Sequence, residues 1–206
     1  MEYIDKIGMV SAKSVLKNTG RDWVQWIKAL SQNGAENLTH KEIVKILKVK
    51  FKQTLWWQQQ IATGFEIHIG KKIFGQNHKG KYSTTTVKTI KVTNKKLWEF
   101  LNSELGINLW LEPLSEFQIA KGAFFEVHGG VFGEVRTILK GKRIRIKWND
   151  SDQGTHSYLQ VYVLPRDGKK CVLVFQHDEI ASARDKEKLK NHWKNKAELI
   201  CEHLQK

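Results

Sequence analysis

The side chains able to do chemistry in this 206-residue sequence are eight histidines, two cysteines and scattered carboxylates. A zinc site needs ligands at fixed short spacing, such as His-Glu-x-x-His on a helix or paired cysteines. Neither pattern occurs. His177-Asp178 and His192, beside Trp193, are groups that a fold can bring together, and the simpler reading is that both histidines are satisfied or exposed. Nucleophilic catalysis needs a nucleophile, a base and an orienting group that meet in space. No Gly-x-Ser-x-Gly turn is present. Cys171 falls in a predicted strand and Cys201 in the predicted last helix, where both read as packing residues. The sequence thus predicts no metal and no cofactor.

Acid–base chemistry has one candidate, the segment holding Glu126 and His128, with Glu134 nearby. Strand alternation puts Phe124, Glu126 and His128 on one face, and Phe125 and Val127 on the other. On a cavity wall Glu126 would be desolvated and its pKa raised, as a general base requires. In solvent it would be an ordinary surface acid. The two faces are about equally apolar, so the sequence leaves the choice open. The run Gly129 to Gly133 joins two predicted strands and feeds no helix N-terminus, so it reads as a turn and not a phosphate cradle.

The net charge of +14 divides about equally between the first 80 residues and the rest, so its density is higher in the shorter part. Such an excess favours nucleic acid or acidic partners. Lysines dominate, however, and arginine is the commoner reader of phosphate and guanine. Helices over Thr39–Leu47 and Leu55–Ile69 have helix-turn-helix spacing, with Lys45, Lys48, Lys50 and Lys52 near the turn. The second helix offers Gln58, Gln59 and Gln60 to adenine but no Lys or Arg before Lys71.

The elements that must position these groups follow from periodicity. Trp23, Trp26, Ile27 and Leu30 make one helical stripe. Thr39 and Glu42 form a capping box ahead of Ile43, Ile46 and Leu47. A further helix after Thr54 runs toward Gly70. With a short lead-in over Ser11–Lys17, these predict a three-helix module. Residues 70–81, rich in Gly and Lys, read as the connection. From Tyr82 the pattern turns to strand, then to a helix from Asn94 that Gly106 ends. Strands follow at Ala123–His128, Val131–Leu139, Arg143–Trp148, Ser157–Leu164 and Cys171–His177. Their short loops make them antiparallel. Leu189, Trp193, Ala197, Ile200 and Leu204 mark a long last helix with one apolar stripe.

The opening Met1-Glu2-Tyr3-Ile4-Asp5-Lys6 lacks a long apolar stretch, and no run reaches the ~20 residues that span a bilayer. The expectation is a cytoplasmic protein with no membrane contact. Its two thiols would then stay free.

The strand Ser83–Val92 with Asn94–Phe100 resembles the opening strand and helix of START-like, helix-grip (SRPBCC) domains. Gly133–Arg136 with Arg143–Trp148, and Val174–Ile180 with Leu189–Trp193, resemble that family's central hairpin, last strand and C-terminal helix. The closest branch is that of the Aha-type heat-shock-protein ATPase activator homologues, over residues 82 to 205. Thr19–Trp26, Thr39–Ile43 and Trp56–Gln59 resemble a small helical domain of unknown function that often precedes Aha-type domains. The resemblance implies an α+β helix-grip fold, a curved antiparallel sheet wrapped around a long C-terminal helix. The domains expected are a basic helical module over 1–80 and the helix-grip domain over 81–206.

The fold leaves a space between sheet and helix that side chains or a ligand can fill. The first reading is a non-enzymatic binding protein, holding a small apolar or amphipathic ligand or engaging a chaperone or other protein as a co-chaperone does. A ligand-responsive DNA-binding regulator using the N-terminal helices is the second, with nucleic acid the less favoured partner. A cyclase-like or hydrolase-like enzyme acting in the cavity is the third. The residues expected to wall the cavity are Trp98, Trp110, Phe124, Glu126, His128, Trp148, Tyr162 and Trp193.

Overall fold

The structure is a computed structural model and describes residues 3–77, 79–114, 117–127, 130–150 and 156–205. The chain divides into two compact units, Met1–Gln76 and Asn77–Lys206. Among the described residues no helix is long and apolar enough to cross a membrane.

In the first unit a small hairpin, β1 (Lys6–Ile7) and β2 (Val10–Ser11), leads into α1 (Ala12–Thr19) and α2 (Trp23–Ser31). A single 3-10 turn then precedes α3 (His40–Val49) and α4 (Leu55–His68). Side chains satisfy the orphan amides at three of the four helix starts. Ser11 caps α1, Asp22 and Gln25 form a reciprocal box on α2, and Thr39 and Glu42 form the predicted box on α3. The lead-in is therefore a helix in its own right. The core gathers Trp23, Trp26, Leu30, Ile43, Leu47 and Phe65. The Trp23 indole N–H donates to the Val10 carbonyl at 2.9 Å, so the buried ring leaves no polar atom unpaired.

The second unit begins with β3 (Tyr82–Ile90), α5 (Asn94–Leu101) and α6 (Glu104–Trp110). Five strands follow: β4 (Phe124–Val127), β5 (Val131–Leu139), β6 (Arg143–Asp150), β7 (His156–Arg166) and β8 (Lys170–Ile180). The last element is α7 (Ala183–Gln205). The six strands form one sheet in the order β3-β8-β7-β6-β5-β4, every neighbouring pair antiparallel. The first strand thus pairs with the last, and α7 packs on β3, β8 and α6. Trp193, Ala197, Ile200 and Cys201 form its buried stripe. This is the α+β helix-grip architecture that the sequence predicts.

Two details correct or extend that reading. Gly106 does not end α5. It lies in the first turn of α6, where Ser103 accepts its amide. A Cβ at Gly106 would sit 1.8 Å from the Phe100 carbonyl oxygen. Glycine is needed there for close approach and not as a stop. On β8 one extra residue is inserted against β3, since Tyr82 pairs with Ile180 but Thr84 with His177. Glu179, at φ 61°, absorbs this bulge in the left-handed region.

A cavity between the sheet and the last helix

Along β8 the inward register runs Cys171, Leu173, Phe175 and His177, all fully buried. Trp193 of α7 stacks on Phe175, with ring centroids 4.9 Å apart, and meets Trp148 of β6 edge-on at 5.5 Å. Trp148 in turn approaches Phe125 of β4 at 5.9 Å. These aromatics bridge helix and sheet. Beside them, toward the N-terminal end of α7, packing is incomplete and a cavity of about 230 Å³ remains. Leu111, Val127, Val131, Trp148, Ile180 and Leu189 supply its apolar wall. Ser157 and His192 also line it, as do the charged Glu112, Glu179, Asp185 and Lys188.

His177 is the polar centre of this region. The Trp193 indole N–H donates to its Nδ1 at 3.1 Å. Indole nitrogen can only donate, so Nδ1 accepts and the ring proton sits on Nε2. From there it donates to Ser157 Oγ at 2.8 Å, and Ser157 donates onward to the Trp148 carbonyl at 3.4 Å. Burial, helped by His192, pushes the His177 pKa down to about 3. A neutral ring that already donates to Ser157 cannot take that hydroxyl's proton. The Ser157–His177 pair is therefore not a nucleophile with its base. Burial also lowers the His192 pKa, with Lys196 and Lys188 acting the same way against Glu112. His192 Nε2 is shut off from solvent and has no hydrogen-bond partner among the described residues.

The expected wall residues part company here. Trp148 lines the cavity, and Trp193 stands directly behind it. Trp110 is fully buried elsewhere in the same core, its indole N–H donating to the Leu101 carbonyl. Trp98 is buried with it, away from the cavity lining. Phe124 and Glu126 are a correction: Phe124 is 72% exposed, and Glu126 is exposed on the same outer face. Phe125 takes the inner face instead because β5 makes room for it at Gly133, where a Cβ would lie 2.4 Å from the Phe125 ring. The acid–base reading loses its carboxylate with that placement. Tyr162 is also a correction, lying half-buried on the outer face of β7 beside Arg143. His128 lies outside the described residues.

Sequence reasoning grouped His177 and His192 beside Trp193 and read both as satisfied or exposed, but it missed Ser157, Glu112 and Asp185. The burial of His177 was readable from the apolar two-residue step of β8, which it continues. In the first unit, Gln58 is buried and donates to the Gln53 carbonyl, while Gln59 meets His40 at 2.8 Å. Two of the three glutamines offered to adenine are thus held in hydrogen bonds within the unit. Among the described residues no cluster of three or more His, Cys, Asp or Glu side chains could hold a metal ion.

Known structures share this fold. Protein MLL2253 from Mesorhizobium loti matches with a TM-score of 0.53 and 20% identity, over 60% of this chain and 96% of its own. CalU16 from Micromonospora echinospora matches with a TM-score of 0.53 and 16% identity, over 63% and 70%. The Aha1 dimer from Colwellia psychrerythraea matches with a TM-score of 0.52 and 12% identity, over 59% and 95%. At such identities the likeness is one of fold. No protein-family model and no curated protein matches the chain.

Proposed function

We propose that the helix-grip unit of this chain is a non-enzymatic binding module that holds a small amphipathic ligand between Trp148 and the start of α7. The cavity of about 230 Å³ carries this reading. An apolar cavity of about 150 Å³ accommodates benzene, so this one suits a body of about two fused rings. Its apolar wall would take that body. Ser157 and the charged groups that share the lining would receive a polar end. The histidine at the centre is spent on holding Trp193 and Ser157, which supports binding over reaction. The co-chaperone reading draws on the shared fold alone, and a fold by itself carries no function.

Native mass spectrometry of freshly purified protein, compared with the denatured mass, tests the proposal. A reproducible extra mass that leaves on denaturation is the expected result. The opposite result is no retained mass together with no thermal shift from a panel of two-ring aromatic acids and amines. That pair of findings would remove the ligand-binding reading.

A further inference from the structure

The outer face of the six-stranded sheet, turned away from the cavity, carries side chains that ligand binding does not use. Arg143, Arg145 and Lys147 form one row on β6, and Tyr158, Gln160 and Tyr162 the next row on β7. The register pairs Arg143 with Tyr162, Arg145 with Gln160 and Lys147 with Tyr158. All six are half-buried, whereas Ile144, Ile146, Leu159 and Val161 between them are fully buried on the inner side. The Arg145 guanidinium lies 4.4 Å from the Tyr158 ring centroid, and that of Arg143 lies 5.9 Å from Tyr162.

These planes are fixed in advance. The Tyr162 hydroxyl donates to Gln160 Oε1 at 2.9 Å, and the Gln160 amide donates to Asp178 at 3.0 Å. Gln176 donates to the same carboxylate at 2.9 Å, so Asp178, beside Tyr158 on β8, is held by two amides. Glu134 is taken by Arg136 at 2.7 Å. Among the described residues no ion pair neutralises Arg143, Arg145 or Lys147, and the Nε atoms of both arginines have no hydrogen-bond partner. Four of the six arginines in the sequence, Arg136, Arg143, Arg145 and Arg166, belong to β5, β6 and β7. The remaining positive charge is overwhelmingly lysine.

We propose that this face binds single-stranded nucleic acid. Layered tyrosine and guanidinium planes are surfaces on which unstacked bases stack. The row of cations on β6, which has no ion-pair partner among the described residues, takes the phosphates at steps of about 7 Å along the strand. Among the described residues of the second unit, this sheet face presents no helix to enter a duplex groove. A purely acidic protein would use the charge but has no need of the stacked planes. This inference is independent of the cavity and of what fills it.

Fluorescence anisotropy of the full chain with a labelled twelve-nucleotide single strand of mixed sequence, at about 50 mM salt, tests it. Binding should weaken steeply as salt rises. Arg145→Lys keeps the charge but loses the plane, and should weaken binding about 10-fold. Tyr158→Ala should weaken it by about 5- to 100-fold. Arg145→Lys keeps the test decisive if Tyr158→Ala folds poorly. The inference is overturned by no binding at that salt, by equal affinity for a duplex of the same length, or by wild-type affinity in Arg145→Lys. Displacement of the strand by polyglutamate at equal charge would also overturn it, assigning the face to acidic protein.

Discussion

The Trp193 indole donates to His177 Nδ1 at 3.1 Å, tying the last helix to the last strand through a bond that exists only while the histidine is neutral. The folded pKa of about 3 lies below the ordinary 6.5. Between those values the unfolded chain binds a proton that the folded ring refuses. The contribution is complete above about pH 6.5 and is lost as pH falls toward 3, by up to about 1.4 kcal/mol per pH unit. Urea midpoints at several pH values should show that slope. His177→Phe should be less stable at pH 7.5, yet respond less to acid. An unchanged slope in the variant would assign the acid sensitivity to other groups.

Trp193 does two jobs that substitution can separate. Trp193→Ala removes the ring that packs on Phe175 and Trp148, and should cost about 3–5 kcal/mol. Trp193→Phe keeps much of the packing but strands His177 Nδ1, and should cost about 1–3 kcal/mol. Chemical denaturation measures both. A change within error for Trp193→Ala would sink the packing account.

Filling the cavity offers a test that does not depend on knowing the ligand. Val131 lines it and is half-buried, so Val131→Phe should occupy the space with little strain. The expected outcome is loss of any retained mass, with a melting temperature equal to or above that of the wild type. Loss of the fold would show instead that the space is already committed to packing.

Gly106 presents a backbone limit. A Cβ there would lie 1.8 Å from the Phe100 carbonyl oxygen, which cannot swing aside as a side chain can. Gly106→Ala should cost about 3 kcal/mol or more, despite the better helix propensity of alanine. Thermal unfolding of the variant checks this, and a neutral or stabilising result would contradict the close α5–α6 approach.

Elements with strong local signals were legible in the sequence. The Thr39–Glu42 box and the Leu189–Trp193–Ala197–Ile200 stripe needed nothing but spacing. The face of β4 was left open because each face of this four-residue strand carries one phenylalanine, although Phe125 with Val127 is the more apolar pair. What decides it is a glycine on the neighbouring strand, Gly133, which leaves room for one ring. Gly106 was misread for a related reason: a glycine that stops a helix and one that admits a neighbour look alike until the neighbour is placed. The cavity was visible only as a surplus of aromatics. Which of them line it depends on long-range pairing, so Trp148 and Tyr162, both expected as walls, lie on opposite faces of the sheet.

The extra residue on β8 acts as a phase counter for the strand. Up to His177 the odd-numbered positions face inward, and beyond the bulge Ile180 does. Pairing the same sequence without the bulge would impose strict alternation, turning Ile180 outward and the Glu179 carboxylate inward. Deleting Glu179 would instead remove the bulge and keep Ile180 opposite Tyr82 on the inner face. Substitutions at Glu179 that tolerate the left-handed conformation, such as Glu179→Gly or Glu179→Asn, should leave the phase untouched. At this corner of the molecule, one left-handed backbone residue decides which side chains face the core.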